Sequence, residues 1–180
     1  MNLMHDFSVA KEYEEWIIPQ KEVLPMSYTQ PPPMTEEEME SFFQEAKIAR
    51  FCSLNKNGTI HAVPVWFKYS DGKFLIGAAA KSRRVRNIKR NKNVTLLIDI
   101  EAPHTRAVII YGEAEIKRDD IEDLAVRIFE RYMPHDEAVV YQRGLFKLTT
   151  WIGLIVTPKK MTSFDYGKDT QYRAATKDEL

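Results

Sequence analysis

The sequence is poor in the residues that most metal and disulfide sites need. It has one cysteine and four histidines in 180 residues, so an internal disulfide and a cysteine-rich zinc site are excluded. The histidines do not fall at the close helical spacing of a zinc hydrolase, and the Gly-x-Ser-x-Gly motif of serine hydrolases does not occur. We therefore predict no metal site and leave the catalytic residues unknown. Cys52 lies between apolar residues and is predicted to be a buried thiol rather than a nucleophile.

Long apolar runs and net charge are also missing. No stretch approaches the ~20 apolar residues that cross a bilayer, and 26 basic residues balance 26 acidic ones. A neutral chain argues against a nucleic-acid partner, and the acidic N-terminus does not resemble a secretion signal. The last four residues, 177–180, spell the ER-retrieval address, which we interpret as coincidence. We expect a cytoplasmic protein with neither a nucleic-acid nor a membrane partner.

Three segments are predicted along the chain. Residues 1–34 form an N-terminal arm, in which Pro31-Pro32-Pro33 favours an extended connection. Thr35-Glu36-Glu37-Glu38 is a capping box that opens a helix to about Lys47, with Met39, Phe42, Phe43 and Ala46 on its apolar face. Residues 35–167 form one cofactor-binding domain, and residues 168–180 form a polar tail.

Short strand-like runs dominate the domain. The dipeptides Asn57-Gly58 and Asp71-Gly72 are typical of hairpin turns. Six strands are predicted, at residues 51–54, 59–69, 73–78, 94–100, 106–117 and 147–157, with Pro158 ending the sixth and a short edge at 160–166 as a possible addition. A helix is predicted from Asp119 or Asp120 to about Tyr132, ended by Pro134, and residues 136–145 are helical or irregular. The fold class is therefore mainly β with flanking helices (α+β).

A basic segment follows the third strand. Residues 81–92 hold seven of the 26 basic residues within twelve positions. Ser82 stands where a helix N-cap is expected, and Arg83 and Arg84 occupy the first turn beside free backbone N–H groups. Such an arrangement suits a phosphate-like anion. The alternative is a solvated basic helix face that binds nothing.

The order of these elements resembles the flavin-binding split β-barrels related to pyridoxamine 5'-phosphate oxidase. The matching pieces are the strand Arg50–Leu54, the strand Pro64–Phe67, the Asp71-Gly72 turn and the helix Ser82–Ile88. The resemblance implies a six-stranded antiparallel split β-barrel of the FMN-binding type. It also implies a homodimer with the cofactor between the subunits, for which Val108, Ile110, Trp151 and the N-terminal arm offer candidate contact surface.

On the family pattern, Ser82, Arg83 and Arg84 would hold the FMN phosphate, and Lys89 could assist. The strand Ala62–Phe67 would lie along the flavin ring. Since Pro64 has no N–H, backbone hydrogen bonds to the ring would come from neighbouring residues. The predicted cofactor-binding residues are therefore Val63, Pro64, Val65, Trp66, Ser82, Arg83, Arg84 and Lys89. The deazaflavin F420 is bound through similar basic residues in a related branch and is the alternative cofactor.

One departure from the family limits what the resemblance implies. True pyridoxamine phosphate oxidases carry a C-terminal Arg-x-His-type segment, whereas no histidine follows His135 here. The resemblance thus supports cofactor binding better than vitamin B6 chemistry. We predict a flavin-dependent oxidoreductase acting on an unidentified small molecule, with NAD(P)H as candidate electron donor. The alternatives are an F420-dependent reductase, a flavin- or haem-binding protein without turnover, and a nucleic-acid-binding barrel.

Two further sets of polar residues are weighed for catalysis. His61 lies on a predicted strand and is expected to point outward or to make a structural hydrogen bond. Asp99 and Glu101 stand two apart and could share a strand face, but nothing marks them as a general acid and base. Neither set is assigned a catalytic role.

Overall fold

The structure is a computed structural model that describes residues 31–171 and residue 174. Four α-helices are described: α1 (Glu36–Glu45), α2 (Arg83–Arg90), α3 (Ile121–Phe129) and α4 (His135–Leu148). Seven strands are described: β1 (Ala49–Leu54), β2 (Ile60–Val65), β3 (Phe67–Ser70), β4 (Lys73–Ala79), β5 (Asn93–Ile100), β6 (Arg106–Lys117) and β7 (Trp151–Asp165). The predicted arm lies outside the described residues except at positions 31–34.

The strands form one antiparallel sheet in the order β2-β1-β5-β6-β7-β4-β3. The sheet curls into a half-barrel flanked by the helices, so the predicted split β-barrel of the α+β class is confirmed. Its inner face holds a continuous apolar core, in which the side chains of Phe51, Phe74, Leu96 and Ile110 are fully buried. A smaller cluster packs beneath α3 around Leu124, Ile128, Phe129 and Trp151.

The predicted strand count of six is wrong because the run 59–69 is two strands. The chain leaves β2 after Val65 and enters β3 at Phe67, with Trp66 between them. Although the two strands are consecutive in sequence, they form opposite edges of the sheet order. Pro64 therefore lies in an edge strand, where a missing N–H is tolerated.

The predicted capping box and the predicted Asp-Gly hairpin turn are both confirmed. The capping box at Thr35 is present, with the Glu38 N–H donating to Thr35 Oγ1 at 3.2 Å and the Thr35 N–H donating to Glu38 Oε2 at 2.7 Å. Asp71 and Gly72, with φ of 54° and 71°, form the two-residue turn between β3 and β4. A positive φ at both central positions matches the twist of a β-hairpin.

The C-terminal third differs more from expectation. α4 continues to Leu148, so the last strand begins at Trp151 rather than at 147. Pro158 does not end that strand, which continues through the suggested edge segment to Asp165. Pairing of β7 with β4 stops at Val156, so Pro158 lies where β7 pairs with β6 alone. A proline is tolerated on such a free edge, and a register shift at Tyr111/Gly112 accompanies it.

The residues before α1 and the residues after β7 both contact the domain near the C-terminal end of β7. The Asp165 N–H donates to the Pro32 carbonyl at 2.9 Å, and the Met34 N–H donates to Ser163 Oγ at 2.9 Å. Lys168 pairs with Glu38 on α1. Residues 31–34 and 168 thus pack against the domain, and Met34 belongs to its core.

Candidate functional site

The basic segment forms α2, and its two ends have different surroundings. At the C-terminal half, buried Asn87 donates through Nδ2 to Ser53 Oγ and to Asn55 Oδ1, each at 3.1 Å. Arg90 donates to the Leu54 carbonyl and, at 3.2 Å, to Asn87 Oδ1. These bonds fasten the helix to the first hairpin. Sequence reasoning assigned Asn87 no role. Its position between the apolar residues Val85 and Ile88, which are buried, could have indicated a buried polar side chain.

At the N-terminal end of α2, some polar side-chain atoms have no hydrogen-bond partner. Ser82 occupies the N-cap position with extended backbone angles, as predicted, but its hydroxyl accepts no capping hydrogen bond from the helix. Four buried side-chain polar atoms lack a hydrogen-bond partner within the described residues, and two of them, Ser82 Oγ and Arg84 Nε, belong to this part of the chain; the others are Arg106 Nε and Arg131 Nε. Arg84 does donate through its terminal NH2 group to the Gly77 carbonyl at 3.0 Å. Burial lowers the pKa of the Arg84 guanidinium, which nevertheless stays charged at neutral pH.

The other predicted basic residues are directed to solvent. Arg83 and Lys89 are exposed, and neither makes a hydrogen bond or ion pair with the part of the chain that the structure describes. Arg86 is also exposed, but its guanidinium donates to the Lys81 carbonyl at 2.9 Å. Arg83 is thus a first-turn cation without a hydrogen bond or ion pair to the described residues.

A cavity of about 270 Å³ lies beside this helix end. It brings together four of the eight predicted cofactor-binding residues: Pro64, Val65, Trp66 and Arg84. Gly77, Ile128, Phe129 and Trp151 complete the lining. Val63 does not join them, since its side chain packs against the barrel core, and Ser82, Arg83 and Lys89 lie outside the lining.

Three aromatic residues, Trp66, Phe129 and Trp151, form part of the cavity wall. The Trp66 ring stacks on Tyr132 with centroids 4.5 Å apart and meets Phe129 edge-on at 6.1 Å. Trp151 lies across Gly77, where an added Cβ would come within 2.1 Å of Trp151 Cζ2. Sequence reasoning did not identify Phe129 as a lining residue or Tyr132 as a neighbour of Trp66, because both reach this place only when α3 and the residues after it pack onto β4 and β7.

A second cavity of about 430 Å³ lies on the sheet around β1, β5 and β6. Its lining includes exposed apolar side chains, Leu54, Ile60 and Tyr111, which are 41%, 71% and 45% exposed. The predicted contact residues Val108, Ile110 and Trp151 are instead buried within the chain, so that assignment is wrong. The opposite side of β6 is the outer one, because alternate residues of a strand face opposite ways.

The remaining candidates show no catalytic arrangement. Asp99 forms an ion pair with Arg50, whereas Glu101 lies beyond the end of β5. Burial raises the pKa of the Cys52 thiol, which agrees with a protonated, unreactive side chain. No group of metal-binding side chains occurs among residues 31–171 and 174. In the same residues, no helix is long and apolar enough to cross a membrane.

Comparisons with known proteins define the class to which this fold and site belong. The family model described as pyridoxamine 5'-phosphate oxidase matches residues 35–151. The chain therefore belongs to the pyridoxamine 5'-phosphate oxidase family, which confirms the resemblance inferred from the sequence. Among curated protein sequences, none matches the chain significantly.

Solved structures share the fold at low sequence identity. A conserved hypothetical protein of Mycobacterium tuberculosis is 22% identical, with a TM-score of 0.68 over 78% of this chain and 92% of that one. The haem storage protein HutZ of Vibrio cholerae is 18% identical, with a TM-score of 0.58 over 72% and 93%. An F420 reductase is 18% identical, with a TM-score of 0.54 over 68% and 94%. These similarities establish the fold and no more.

Proposed function

We propose that the protein is an FMN-binding oxidoreductase that acts on a small molecule at the interface of a homodimer. The observation that carries the proposal is the convergence of two segments distant in sequence. The β2 end, Pro64–Trp66, and Arg84 of the basic helix line the same cavity. Both segments are those that the family pattern assigns to a flavin, one to its ring and the other to its phosphate.

Unpartnered polar atoms support an anionic ligand at the start of α2. A buried polar group without a hydrogen bond costs about 1–3 kcal/mol, and both Ser82 Oγ and Arg84 Nε are in that state. A phosphate would provide acceptors for both groups and for exposed Arg83. The helix N-terminus adds free N–H groups and a partial positive charge. The residues present therefore fit the phosphate end of FMN.

The cavity fits the other end of the cofactor. The aromatic rings of Trp66, Phe129 and Trp151 in its lining suit a flat ring system, while Pro64 and its neighbours belong to an edge strand. When bound, FMN would supply the redox chemistry. The chain's own contribution is to bind and orient the ring and to exclude water from its apolar face. NAD(P)H remains the proposed electron donor.

Cavity size supports a second copy of the chain. The family pattern places the cofactor between two subunits, and the cavity of one chain, about 270 Å³, is at the small end of small-molecule sites, which span roughly 300–1,000 Å³. The exposed apolar side chains around the 430 Å³ groove provide a contact surface on the outer sheet. Light scattering should give about twice the 21.0 kDa chain mass. A monomer at micromolar concentration would contradict the dimer and weaken the cofactor site.

Two alternatives share the fold and are separated by one experiment. An F420-dependent reductase would use the same basic residues, and one structural neighbour is an F420 reductase. A binding protein without turnover is the other, since another neighbour is a haem storage protein. We would record the absorption spectrum of freshly purified protein and identify the released cofactor by mass. FMN supports a flavin protein with or without turnover, and reduction by NAD(P)H with electron transfer to an acceptor then identifies the oxidoreductase. A haem Soret band or a deazaflavin mass would contradict the proposal.

A further inference from the structure

Tyr132 follows α3 and contacts the break between β2 and β3 with both its ring and its hydroxyl. The ring stacks on Trp66 at 4.5 Å, with an angle of 11° between the planes. The Tyr132 hydroxyl accepts a hydrogen bond from the Phe67 N–H at 2.8 Å. It can donate to the Phe67 carbonyl at 2.8 Å or the Lys47 carbonyl at 2.9 Å. Burial raises the pKa of Tyr132, so the phenol keeps its proton at neutral pH.

The break needs such partners because regular pairing is interrupted there. β2 pairs with β1 up to Val65, and β3 pairs with β4 from Phe67 onward. Trp66 lies in neither strand, and backbone groups at a break must find other hydrogen-bond partners. Neighbouring Arg131 assists by donating to the Phe67 carbonyl at 2.9 Å and the Gln44 carbonyl at 3.0 Å.

The same break forms one wall of the candidate cofactor cavity. Pro64, Val65 and Trp66 line it, whereas Tyr132 does not belong to the lining. Any change in the Trp66 ring orientation or the Phe67 peptide position would alter that wall. Tyr132 fixes both, the first by stacking and the second by hydrogen bonding.

We propose that Tyr132 is a positioning residue, which holds the Trp66 indole and the Phe67 peptide in the arrangement that binds the flavin ring. This inference rests on the proposed function and adds to it a residue outside the cavity. It acts on the ring and not on the phosphate. The two ligands FMN and riboflavin share the ring and differ in the phosphate, so they distinguish its effect from that of the basic helix.

The test titrates wild type, Tyr132→Phe and Tyr132→Leu with both ligands. Tyr132→Phe keeps the stack and removes the hydroxyl, leaving the Phe67 N–H without its partner. We expect affinity for FMN and riboflavin to fall by the same factor, on the order of tenfold. Tyr132→Leu removes the stack as well and should lower both affinities further. Its tryptophan emission should also shift relative to wild type, because Trp66 loses its stacked neighbour.

A stability control separates positioning from a merely structural role. Ile110→Val removes one methyl group from the fully buried core and should lower the melting temperature without changing either affinity. If Tyr132→Phe also lowers only the melting temperature, the inference is overturned while the proposed function stands. If wild type binds neither ligand, the proposed function itself fails, and the inference with it.

A second variant covers the case in which Tyr132→Phe does not fold. Trp66→Leu leaves the Tyr132 hydroxyl on Phe67 and removes the indole that the ring holds. It should weaken FMN and riboflavin equally. Unchanged affinity for both ligands would show that the orientation of Trp66 has no bearing on the flavin, and would overturn the inference.

Discussion

Replacing Arg83 by alanine should weaken FMN binding about 10- to 100-fold. A hydrogen bond to a charged group contributes roughly 1.5–3 kcal/mol, and about 1.4 kcal/mol corresponds to a factor of ten. Arg83 is exposed and makes no hydrogen bond or ion pair with the described residues, so its removal should leave the melting temperature nearly unchanged. Loss of affinity would then report the ligand contact rather than damage to the fold.

Riboflavin provides the matched ligand control for this prediction. It lacks the phosphate, so it should bind wild type and Arg83→Ala with nearly equal affinity. Fluorescence quenching or calorimetry with both ligands would measure the two constants. Equal FMN affinity of variant and wild type would refute the phosphate site and leave α2 as a solvated basic face.

The choice of control residue follows from the contacts of the basic helix. Arg90 is unsuitable, because it donates to Leu54 and Asn87 and its loss would loosen the helix. Lys92 is exposed, lies beyond the other end of α2 and carries the same charge. Lys92→Ala therefore changes the net charge equally and should leave FMN affinity within about twofold, as expected for a distant screened charge.

Three further predictions follow from individual contacts. Gly77→Ala should destabilise the protein by about 1–3 kcal/mol in chemical denaturation and weaken flavin binding, because the new Cβ meets Trp151; unchanged stability would show that Trp151 moves freely. Deletion of residues 1–30 should preserve cooperative thermal unfolding, since Met34 and the capping box remain; loss of the transition would contradict this. The contact of His135 Nδ1 with Glu130 Oε1 at 2.6 Å raises the pKa of His135. The pair therefore stabilises the fold at low pH, and this stabilisation is lost as pH rises through the folded-state pKa of His135. His135→Gln should thus lower the melting temperature at about pH 5 but not at about pH 9, and an equal effect at both would exclude the ion pair.

Much of the barrel could be predicted because its signals are local. Asp71-Gly72 determines a turn within two residues, and the Thr35 capping box needs only four. The break at Trp66 is different, since residues 59–69 look like one continuous strand. It arises because the two halves pair with β1 and β4 at opposite edges of the sheet. Pro64 indicates an interruption or an edge, but no nearby residue indicates which strands the two halves join.

The inner and outer faces of β6 were harder to predict for a related reason. The strand carries apolar residues on both sides at Val108, Ile109 and Ile110, so alternation alone does not identify the side that is buried. The structure places Val108 and Ile110 fully inside, which removes them from any contact surface. Which face of β6 is buried depends on where α1 and the core side chains pack, and this packing is decided by the tertiary structure rather than by the strand's own sequence.

The same distinction applies to the candidate site. Ser82, Arg83 and Arg84 could be identified from one short segment, but their different exposures could not, because the Gly77 carbonyl that orients Arg84 belongs to another element. Phe129 is the last residue of α3 and Tyr132 follows it, about fifty residues further along the chain. Only the packing of that helix makes them part of the cavity or its support.

The contacts of α2 favour a binding helix over a solvated basic face. A solvated face would have its polar atoms in water, and its cations would be interchangeable. Here Asn87 and Arg90 are committed to β1, whereas Ser82 Oγ and Arg84 Nε are buried without partners in the described chain. Polar groups are rarely left in that condition unless a ligand or water satisfies them. Two of the four such atoms in the described chain stand at the start of α2, and Arg84 lines the cavity beside it, which is where the phosphate of a bound flavin is proposed to lie.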